Sequence, residues 1–318
     1  MKDYIRIMCA VLVVLILIPL VSYADRRTAL PAKSESVTVG IYFTERDEKV
    51  TVSLHDYIVG AVFAQMPADF GDEALRAQAV LASTYIRRRR LSEEQLPTEA
   101  LHGALLSDDR TKYHAYFTEE QAKELYGSGY EQALKRVSAA ASYAEKYILT
   151  YDGEPIAPAF HGISYGRTES AADMWGEGIP YLVSVGSESD AELRVCKSEV
   201  SYTAEKLSAV LSDSFGIKAE GEPSGWIRPT LTTSGGTVLK VSVCGTETDS
   251  ETFCEKLGLA SQHFSVGFSD GKFTFSVMGC GHLVGMSQYG ANEMAKQGST
   301  AEQILTHYFT GTKLEAAE

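Results

Sequence analysis

The stretch that decides the fold, 52-VSLHDYIVGAVFAQMPADFGDEALRAQAVLASTYI-86, carries two helical patterns separated by a proline. Apolar residues recur at helical spacing after Ser53, which stands in the N-cap position with an acidic residue three positions on, as in a capping box. Pro67 ends this helix, because a helix interior needs the backbone N–H that proline lacks. Gln65 continues the apolar stripe just before that stop, so we expect its amide to point inward or into a cleft.

The second helix of this stretch is predicted to run from Glu73 to Arg88. Its apolar face also includes a polar residue, Gln78. The basic run Arg87–Arg90 is interpreted as a set of cations in the last turn, where they complement the helix dipole. Two helices joined at a proline therefore form the centre of the predicted fold.

Elements outside that stretch follow from alternation, caps and turn residues. Further helices are predicted near 118–126 and 131–145, over 203–216, and as two short helices between 287 and 309. Strands are predicted over 36–43, 48–54, 237–245 and 272–279, with a hairpin over 147–161 that turns at Asp152-Gly153. Helices cluster early and strands are interspersed later, which favours an α+β fold in which a helical cluster packs with mixed β-sheet elements.

The N-terminus has the pattern of an export signal. Two basic residues precede an apolar run from Ile7 to Val21, which has the length of a signal-peptide core. Residues 1–24 are predicted to be either a signal peptide cleaved after Ala24 or one uncleaved membrane anchor, and 25–36 a linker. In both cases we expect the rest of the chain outside the cytoplasm, attached to the cell membrane or secreted.

Charge and cysteine content limit the classes of function. The formal net charge of the 318 residues is −13, which argues against the basic surface that nucleic-acid binding requires. An even number of cysteines in an exported domain permits disulfides, with the pairing open. Their irregular spacing, without C-x-x-C, argues against a zinc ribbon and favours isolated thiols. These cysteines are Cys196, Cys244, Cys254 and Cys280.

Two glycine-flanked polar clusters are the strongest candidates for a binding site. One lies over 159–170 and the other over 279–291. Loops that combine glycine with aromatic, hydroxyl and imidazole groups often line polar-ligand sites. The alternative is turn chemistry with hydrogen-bonded structural histidines, and for either cluster alone this alternative is favoured. The signatures H-E-x-x-H and the P-loop do not occur in the sequence.

Three co-linear segments narrow the interpretation. They are 52–86, 148-ILTYDGEPIAPAFHGISYGRTESAADMWGEGIPYLVSV-185 and 281-GHLVGMSQYGANEMAKQGSTAEQILTHYFTGTKL-314. In this order and spacing they resemble the stage II sporulation protein D family, which includes amidase enhancers of the LytB type. The resemblance implies a peptidoglycan-binding domain over 37–314, for which we expect a helical lobe at 53–146 and a β-rich lobe at 147–314.

The resemblance implies a function in the cell wall. Family members act as lytic transglycosylases on peptidoglycan glycan strands, chiefly strands stripped of stem peptides. In endospore formers they work during engulfment with a partner amidase/endopeptidase and a further membrane protein. The resemblance also places one catalytic Glu immediately before Met-Pro. In this chain the segment reads AQMP, so Gln65 occupies the position of the acid.

A glutamine at that position changes the expected chemistry. A single carboxyl group can protonate the glycosidic oxygen and then take the proton of the muramyl 6-hydroxyl, whereas an amide does not titrate usefully. Glu73 stays open as a substitute acid, and its other interpretation is favourable charge at a helix N-terminus. The residues expected to bind substrate are Arg76, His161, Tyr165, Thr168, Glu169, His282, Ser287, Gln288 and Tyr289.

Three functions therefore stay open. The first is a glycan-binding cell-wall protein with impaired or absent transglycosylase activity. The second is an active transglycosylase that uses a substitute acid such as Glu73. The third is a non-catalytic amidase enhancer or structural interaction protein. We expect no cofactor, because the loop after His161 lacks the cysteine with which some members hold zinc, although zinc at the retained histidine stays an alternative. Leu283 stands where the family prefers Gly.

Overall fold

The computed structural model describes residues 37–317, which form an α+β fold with several small sheets, as the sequence predicts. The predicted signal or anchor at 1–24 and the linker at 25–36 lie outside the described residues. Between residues 37 and 317, none of the helices has the length and apolar content that crossing a bilayer requires.

The first part of the fold is helical and includes one small sheet. Its strands, in the order β2-β1-β3, are β1 (Thr38–Phe43), β2 (Glu48–Ser53) and β3 (Leu106–Ser107). Its helices are α1 (Leu54–Gln65), α2 (Asp72–Gln95), α3 (Glu119–Tyr126) and α4 (Tyr130–Ala144). The long helix α2 lies at the centre, where it contacts α1 and α4. Its middle turns are buried because alanines and other small or apolar residues fill them.

The start of α1 follows from its cap. The Ser53 hydroxyl accepts a hydrogen bond from the Asp56 backbone N–H at 3.0 Å and donates one to the Asp56 carboxylate at 2.6 Å. The helix ends at Gln65, two residues before Pro67, as predicted. Met66 is extended and buried, so the chain turns sharply between α1 and α2.

The second helix of the opening stretch is longer than the sequence predicts. It continues to Gln95, so Arg87–Arg90 lie well before its last turn, and their interpretation as C-terminal cations is wrong. Three of these side chains instead donate to backbone carbonyls of other segments. Arg87 donates to Glu145, Arg88 to Pro155 and Arg89 to Leu105. Contacts distant in sequence therefore determine where these arginines lie.

A mixed layer of strands and helices packs on α2, and it combines residues 147–161 with the C-terminal part of the chain. It contains the sheet β14-β4-β5, formed by β4 (Tyr147–Tyr151), β5 (Glu154–Pro155) and β14 (Lys313–Ala316). It also contains the parallel pair β6 (Phe160–His161) and β13 (Met286–Ser287), with helices α9 (Gln288–Lys296) and α10 (Ala301–Tyr308). The predicted turn between β4 and β5 is confirmed, with positive φ at Asp152 and Gly153.

Residues 197–278 build a further hydrophobic core. Two antiparallel sheets contribute, in the orders β11-β12-β7 and β10-β9-β8. Their strands are β7 (Lys197–Thr203), β8 (Ile227–Thr232), β9 (Val238–Val243), β10 (Thr246–Asp249), β11 (Phe264–Ser269) and β12 (Lys272–Met278). Helices α7 (Ala204–Phe215) and α8 (Ser250–Leu257) supply buried leucines and Phe253 to the same core. The short helices α5 (Ala171–Trp175) and α6 (Glu188–Glu192) precede it.

Two sequence interpretations concern this part of the chain. Within the described residues the four cysteines are free thiols, of which Cys196 and Cys254 are buried and Cys280 is exposed. The division into lobes at 53–146 and 147–314 stays a prediction, although α2 contacts β4, α9 and α10 across that boundary.

Candidate functional site

The candidate site is an open cavity of about 510 Å³ where α1, the 110–115 loop, β6 and the start of α9 meet. Four of the residues predicted from the sequence lie around it: Gln65, His161, His282 and Gln288. The complete lining is Ala64, Gln65, Arg110, Tyr113, His114, Ala115, Pro158, Ala159, Phe160, His161, Gly162, Trp175, His282 and Gln288. Polar, aromatic and imidazole groups thus surround one concave space, as in many small-ligand sites.

Gln65 is held at the end of α1 by two hydrogen bonds of its amide. Its Nε2 donates to the Ala115 carbonyl at 2.9 Å, and its Oε1 accepts from Gln78 Nε2 at 2.7 Å. Gln78 lies on the buried face of α2 and is fully enclosed. The prediction that Gln65 points into a cleft is confirmed, and the polar residue in the apolar face of α2 is its partner.

Gln288 completes a chain of amides. At the start of α9, its Nε2 donates to the Gln65 backbone carbonyl at 2.7 Å and lies 3.2 Å from Gln78 Oε1. Three glutamines from α1, α2 and α9 therefore orient one another across more than 200 residues of sequence. Because Gln65 and Gln78 each donate and accept, and Gln288 donates to both residues, the position of the Gln65 side chain is well defined.

The surroundings of Gln65 suit a group that donates on one side and accepts on the other. An amide meets this requirement permanently. A carboxyl group would meet it only when protonated, because an ionised carboxylate has no proton to offer the Ala115 carbonyl. The cavity is therefore arranged for a neutral side chain at position 65.

Three histidines line the same cavity, and burial keeps each neutral. Desolvation lowers the pKa of His161 to about 3 and that of His114 to about 4, and it also lowers the pKa of His282. His161 Nδ1 lies 3.1 Å from the Val284 carbonyl, so it carries the proton and Nε2 is left as an acceptor. These imidazoles carry no positive charge at neutral pH, and Nδ1 of His282 accepts from the Val284 backbone N–H at 3.1 Å.

The polar loop after His161 contributes a separate cluster. Glu169 is buried, and its Oε1 accepts from the hydroxyls of Tyr165 at 2.8 Å, Thr233 at 3.0 Å and Thr237 at 2.6 Å. Burial and the hydrogen bond to Glu169 raise the pKa of Tyr165. The Tyr165 ring stacks on His263, with 3.8 Å between ring centroids. Among the described residues, neither Tyr165 nor Glu169 lines the cavity.

Three other predicted site residues make structural contacts outside the cavity lining. Thr168 is buried, and its Oγ1 accepts from the Val185 backbone N–H at 2.9 Å. Ser287 caps α9 by accepting from the Gly290 backbone N–H at 3.1 Å. Tyr289 packs edge-on against Phe70 at 5.0 Å between centroids, and its backbone N–H donates to Gly162. Within residues 37–317 these three side chains also lie outside the cavity lining.

Glu73 and Arg76 lie at the start of α2 and form an ion pair with each other. The second oxygen of Glu73 accepts from the Ala301 backbone N–H, the first of α10, at 2.7 Å. Such a contact stabilises a helix N-terminus. In the described part of the chain, neither residue belongs to the cavity lining.

Several lining residues had no signal in the sequence. His114, Tyr113 and Arg110 come from the loop between β3 and α3, and Trp175 ends α5. Gln78, which bonds to Gln65 without lining the cavity, did have a signal in the sequence, as a polar residue in an apolar helical face. Among residues 37–317, no group of three or more His, Cys, Asp or Glu side chains is placed to hold a metal ion.

The fold and the cavity define a class: an α+β protein with an open cavity lined by aromatic, imidazole and amide side chains. The model of the stage II sporulation protein family matches residues 43–151. Stage II sporulation protein D of Bacillus subtilis (strain 168) is 35% identical over 286 residues, which cover 90% of this chain and 81% of that relative. The chain belongs to the stage II sporulation protein D family.

Two further relatives extend the comparison. Stage II sporulation protein D of Bacillus amyloliquefaciens is 35% identical over 298 residues, covering 92% of this chain and 83% of the relative. The protein named amidase enhancer of Bacillus subtilis (strain 168) is 24% identical over 304 residues, covering 80% of this chain and 40% of the relative. The matches to both kinds of relative extend far beyond the helical segment that the family model covers.

Proposed function

We propose that this chain has a cell-wall role in sporulation and binds peptidoglycan glycan strands without stem peptides in the cavity around Gln65, with little or no transglycosylase activity. Membership of the family supports the sporulation part of the proposal. The observation that carries the rest is the amide of Gln65, held between Ala115 and Gln78 in a cavity whose lining includes amide, aromatic and imidazole side chains.

The loss of activity follows from the chemistry of an amide. Cleavage with ring closure needs one group that gives a proton and then takes one. The amide of Gln65 keeps the shape of a glutamate and the hydrogen bonds around it, but it cannot act as an acid and then as a base. Removal of a general acid–base group typically lowers rates by about 10²–10⁴-fold.

A substitute acid has less support. Glu73 has both carboxylate oxygens engaged, one by Arg76 and the other by the N-terminus of α10. Both contacts hold the carboxylate at the start of α2, and within residues 37–317 Glu73 does not line the cavity. Its contacts account for Glu73 as a structural group that joins α2 to α10.

We extend the proposal to partners and location. A relative named amidase enhancer supports a non-catalytic role in which this chain assists a cell-wall amidase, and an engulfment complex would supply the amidase/endopeptidase and a further membrane protein. The apolar segment before residue 24 supports a domain outside the cytoplasm, anchored to the cell membrane or secreted. Stimulation of a purified sporulation amidase by the wild-type chain would test this extension, and an unchanged amidase rate would contradict it.

The experiment that tests the central proposal is digestion of purified, peptide-stripped glycan strands with the full chain. Release of anhydro-muramyl ends is measured by mass spectrometry, and binding is measured by co-sedimentation. We expect the wild-type chain to bind without releasing these ends, and Gln65→Glu to release them. Gln132→Glu, a matched substitution at an exposed position of α4, serves as the control and should behave as wild type.

Each other outcome contradicts a stated part of the proposal. Release of anhydro ends by the wild-type chain would show that it is an active enzyme, and loss of that release in Glu73→Gln would identify the substitute acid. Failure of both the wild type and Gln65→Glu to bind glycan would favour a structural interaction protein without a glycan site.

A further inference from the structure

Trp175 is a large aromatic side chain left open at the cavity. It is the last residue of α5, it lines the cavity, and 44% of its surface is exposed. Its ring meets His282 edge-on, with 5.4 Å between centroids. An exposed tryptophan beside a polar cavity is common at binding sites, because the indole offers an apolar face and one N–H donor.

The backbone around Trp175 is fixed. Ser170 caps α5 by accepting from the Asp173 backbone N–H at 3.1 Å, and Gly176 ends the helix in the left-handed conformation at φ 73°. The Ala171 backbone N–H also donates to the Leu182 carbonyl at 2.9 Å. The indole is therefore presented from an ordered turn, which reduces the entropy that a ligand would lose in ordering it.

Two buried imidazoles, those of His161 and His114, belong to the cavity lining. One nitrogen of each bonds to a backbone carbonyl, of Val284 and Pro158 respectively. The other nitrogens, His161 Nε2 and His114 Nδ1, meet no hydrogen-bond partner among residues 37–317 and have almost no accessible surface. A ligand in the cavity does not reach these two atoms, whereas the indole of Trp175 is open to it.

We propose that Trp175 is a stacking platform for one pyranose ring of the glycan in the cavity. A pyranose with equatorial substituents has an apolar face of axial C–H bonds, which fits the negative face of an indole ring. This inference rests on the proposed function and names a side chain that recognises the ligand.

The sequence supplies a direct optical test, because it contains two tryptophans, Trp175 and Trp226. Trp226 is buried in the core of residues 197–278, where it stacks on Phe273, so its emission serves as an internal reference. The full chain is titrated with peptide-stripped glycan strands, with an N-acetylglucosamine oligomer and with a glucose β-1,4 oligomer. We expect saturable quenching or a blue shift for wild type, and no change in emission for Trp175→Phe.

Binding affinities of Trp175 variants measure how much the indole contributes to glycan binding beyond the rest of the cavity. Trp175→Ala should weaken binding about tenfold and Trp175→Phe less, since an aromatic face is retained. Val195→Ala, at another exposed apolar residue, should bind as wild type. Far-UV circular dichroism verifies that each variant is folded. If Trp175→Ala fails to fold, the affinity of Trp175→Phe still tests the platform.

Three outcomes each contradict a different part of the inference. Wild-type binding with unchanged affinity in Trp175→Ala removes the platform and leaves the proposed function intact. A wild-type chain that binds only the glucose oligomer supports the platform but contradicts the proposed ligand. A wild-type chain that binds none of the three probes contradicts the proposed function and the platform together.

Discussion

At the scale of single residues, Gln65 differs from a glutamic acid by the exchange of one atom, and its two hydrogen bonds depend on that atom in different ways. The amide nitrogen takes the place of one carboxyl oxygen and donates permanently to Ala115. The other oxygen keeps the hydrogen bond from Gln78. A protonated carboxyl group would make the same two contacts, so the amide resembles a general acid fixed in its protonated form.

This comparison predicts how Gln65→Glu changes stability with pH. The carbonyl of Ala115 favours the protonated form, so the introduced carboxyl group should have a pKa above the unfolded value of about 4.3. A folded pKa raised above the unfolded one gives stability that is full below about pH 4 and lost as pH rises through the folded pKa. The variant should therefore match wild type near pH 4 and be less stable at pH 8.

Thermal unfolding between pH 4 and pH 8 measures this effect. Each unit of raised pKa corresponds to about 1.4 kcal/mol, or a decrease in Tm of about 2–4 °C. Gln132→Glu at the exposed position supplies the control and should show no comparable difference. A Gln65→Glu variant whose Tm difference from wild type is the same at pH 4 and pH 8 would contradict the assigned contact with Ala115.

Leu283 is a second residue whose backbone makes a specific prediction. It is fully buried beside His282, yet its φ is 66°, in the region that favours glycine. Leu283→Ala loses the buried side chain and keeps the backbone strain, whereas Leu283→Gly loses the side chain and relieves the strain. Both variants should be less stable than wild type by about 2–5 kcal/mol, with the glycine variant more stable than the alanine variant by about 1 kcal/mol.

Chemical denaturation of the two Leu283 variants measures which of them has the larger free energy of unfolding. The matched control is Leu211, buried within helix α7. There the order should be reversed, because glycine in a helix interior is about 1 kcal/mol less favourable than alanine. The same order at both positions would contradict the left-handed conformation of Leu283.

At the scale of elements, the sequence predicts best where local signals act alone. The end of α1 before Pro67 and the turn at Asp152-Gly153 were both predicted, and each depends on contacts within a few residues. The predicted helix over 203–216 likewise ends where expected, because Gly216 adopts the left-handed conformation there. Caps and turns need no tertiary information.

Elements that depend on distant contacts were predicted less well. The run Arg87–Arg90 has the composition of a helix end, but carbonyls of Leu105, Glu145 and Pro155 hold its side chains while α2 continues. The two-residue strands β3, β6 and β13 are too short to give an alternating pattern. The parallel pair β6 and β13 nevertheless brings His161 beside the start of α9, and so completes the site.

Only part of the candidate site could be predicted from the sequence, because some of its residues come together through distant contacts. Gln65 was found from a helical stripe and Gln288 from a glycine-flanked polar cluster, the resemblance pointed to both, and they do line one cavity. His114 and Trp175 were missed, because only packing between distant segments brings them there. Tyr165 and Glu169 have the polar character of a binding loop, but their hydrogen bonds are directed to Thr233 and Thr237.

At the scale of the whole molecule, Glu169 connects the cavity loop to the core of residues 197–278. One carboxylate oxygen accepts from Tyr165 on its own loop and from Thr233 and Thr237 around the β8–β9 turn. That turn fits closely, since a Cβ at Gly235 would lie 2.0 Å from the Tyr165 hydroxyl. The core it belongs to has its own buried phenylalanines, including Phe253 and Phe275. We expect that core to unfold separately once the connection is removed.

Glu169→Ala leaves three hydroxyl groups without their shared acceptor, so it should cost about 3 kcal/mol or more and separate thermal unfolding into two transitions. Thr237→Val removes one donor and should cost about 1–2 kcal/mol with a single transition. Glu199→Ala, at an exposed position of β7, is the control. Calorimetry distinguishes the cases, because the separate core would give its own peak. A single peak that merely shifts in Glu169→Ala would mean that the hydrophobic contacts between the two parts, rather than this carboxylate, make the molecule unfold as one unit.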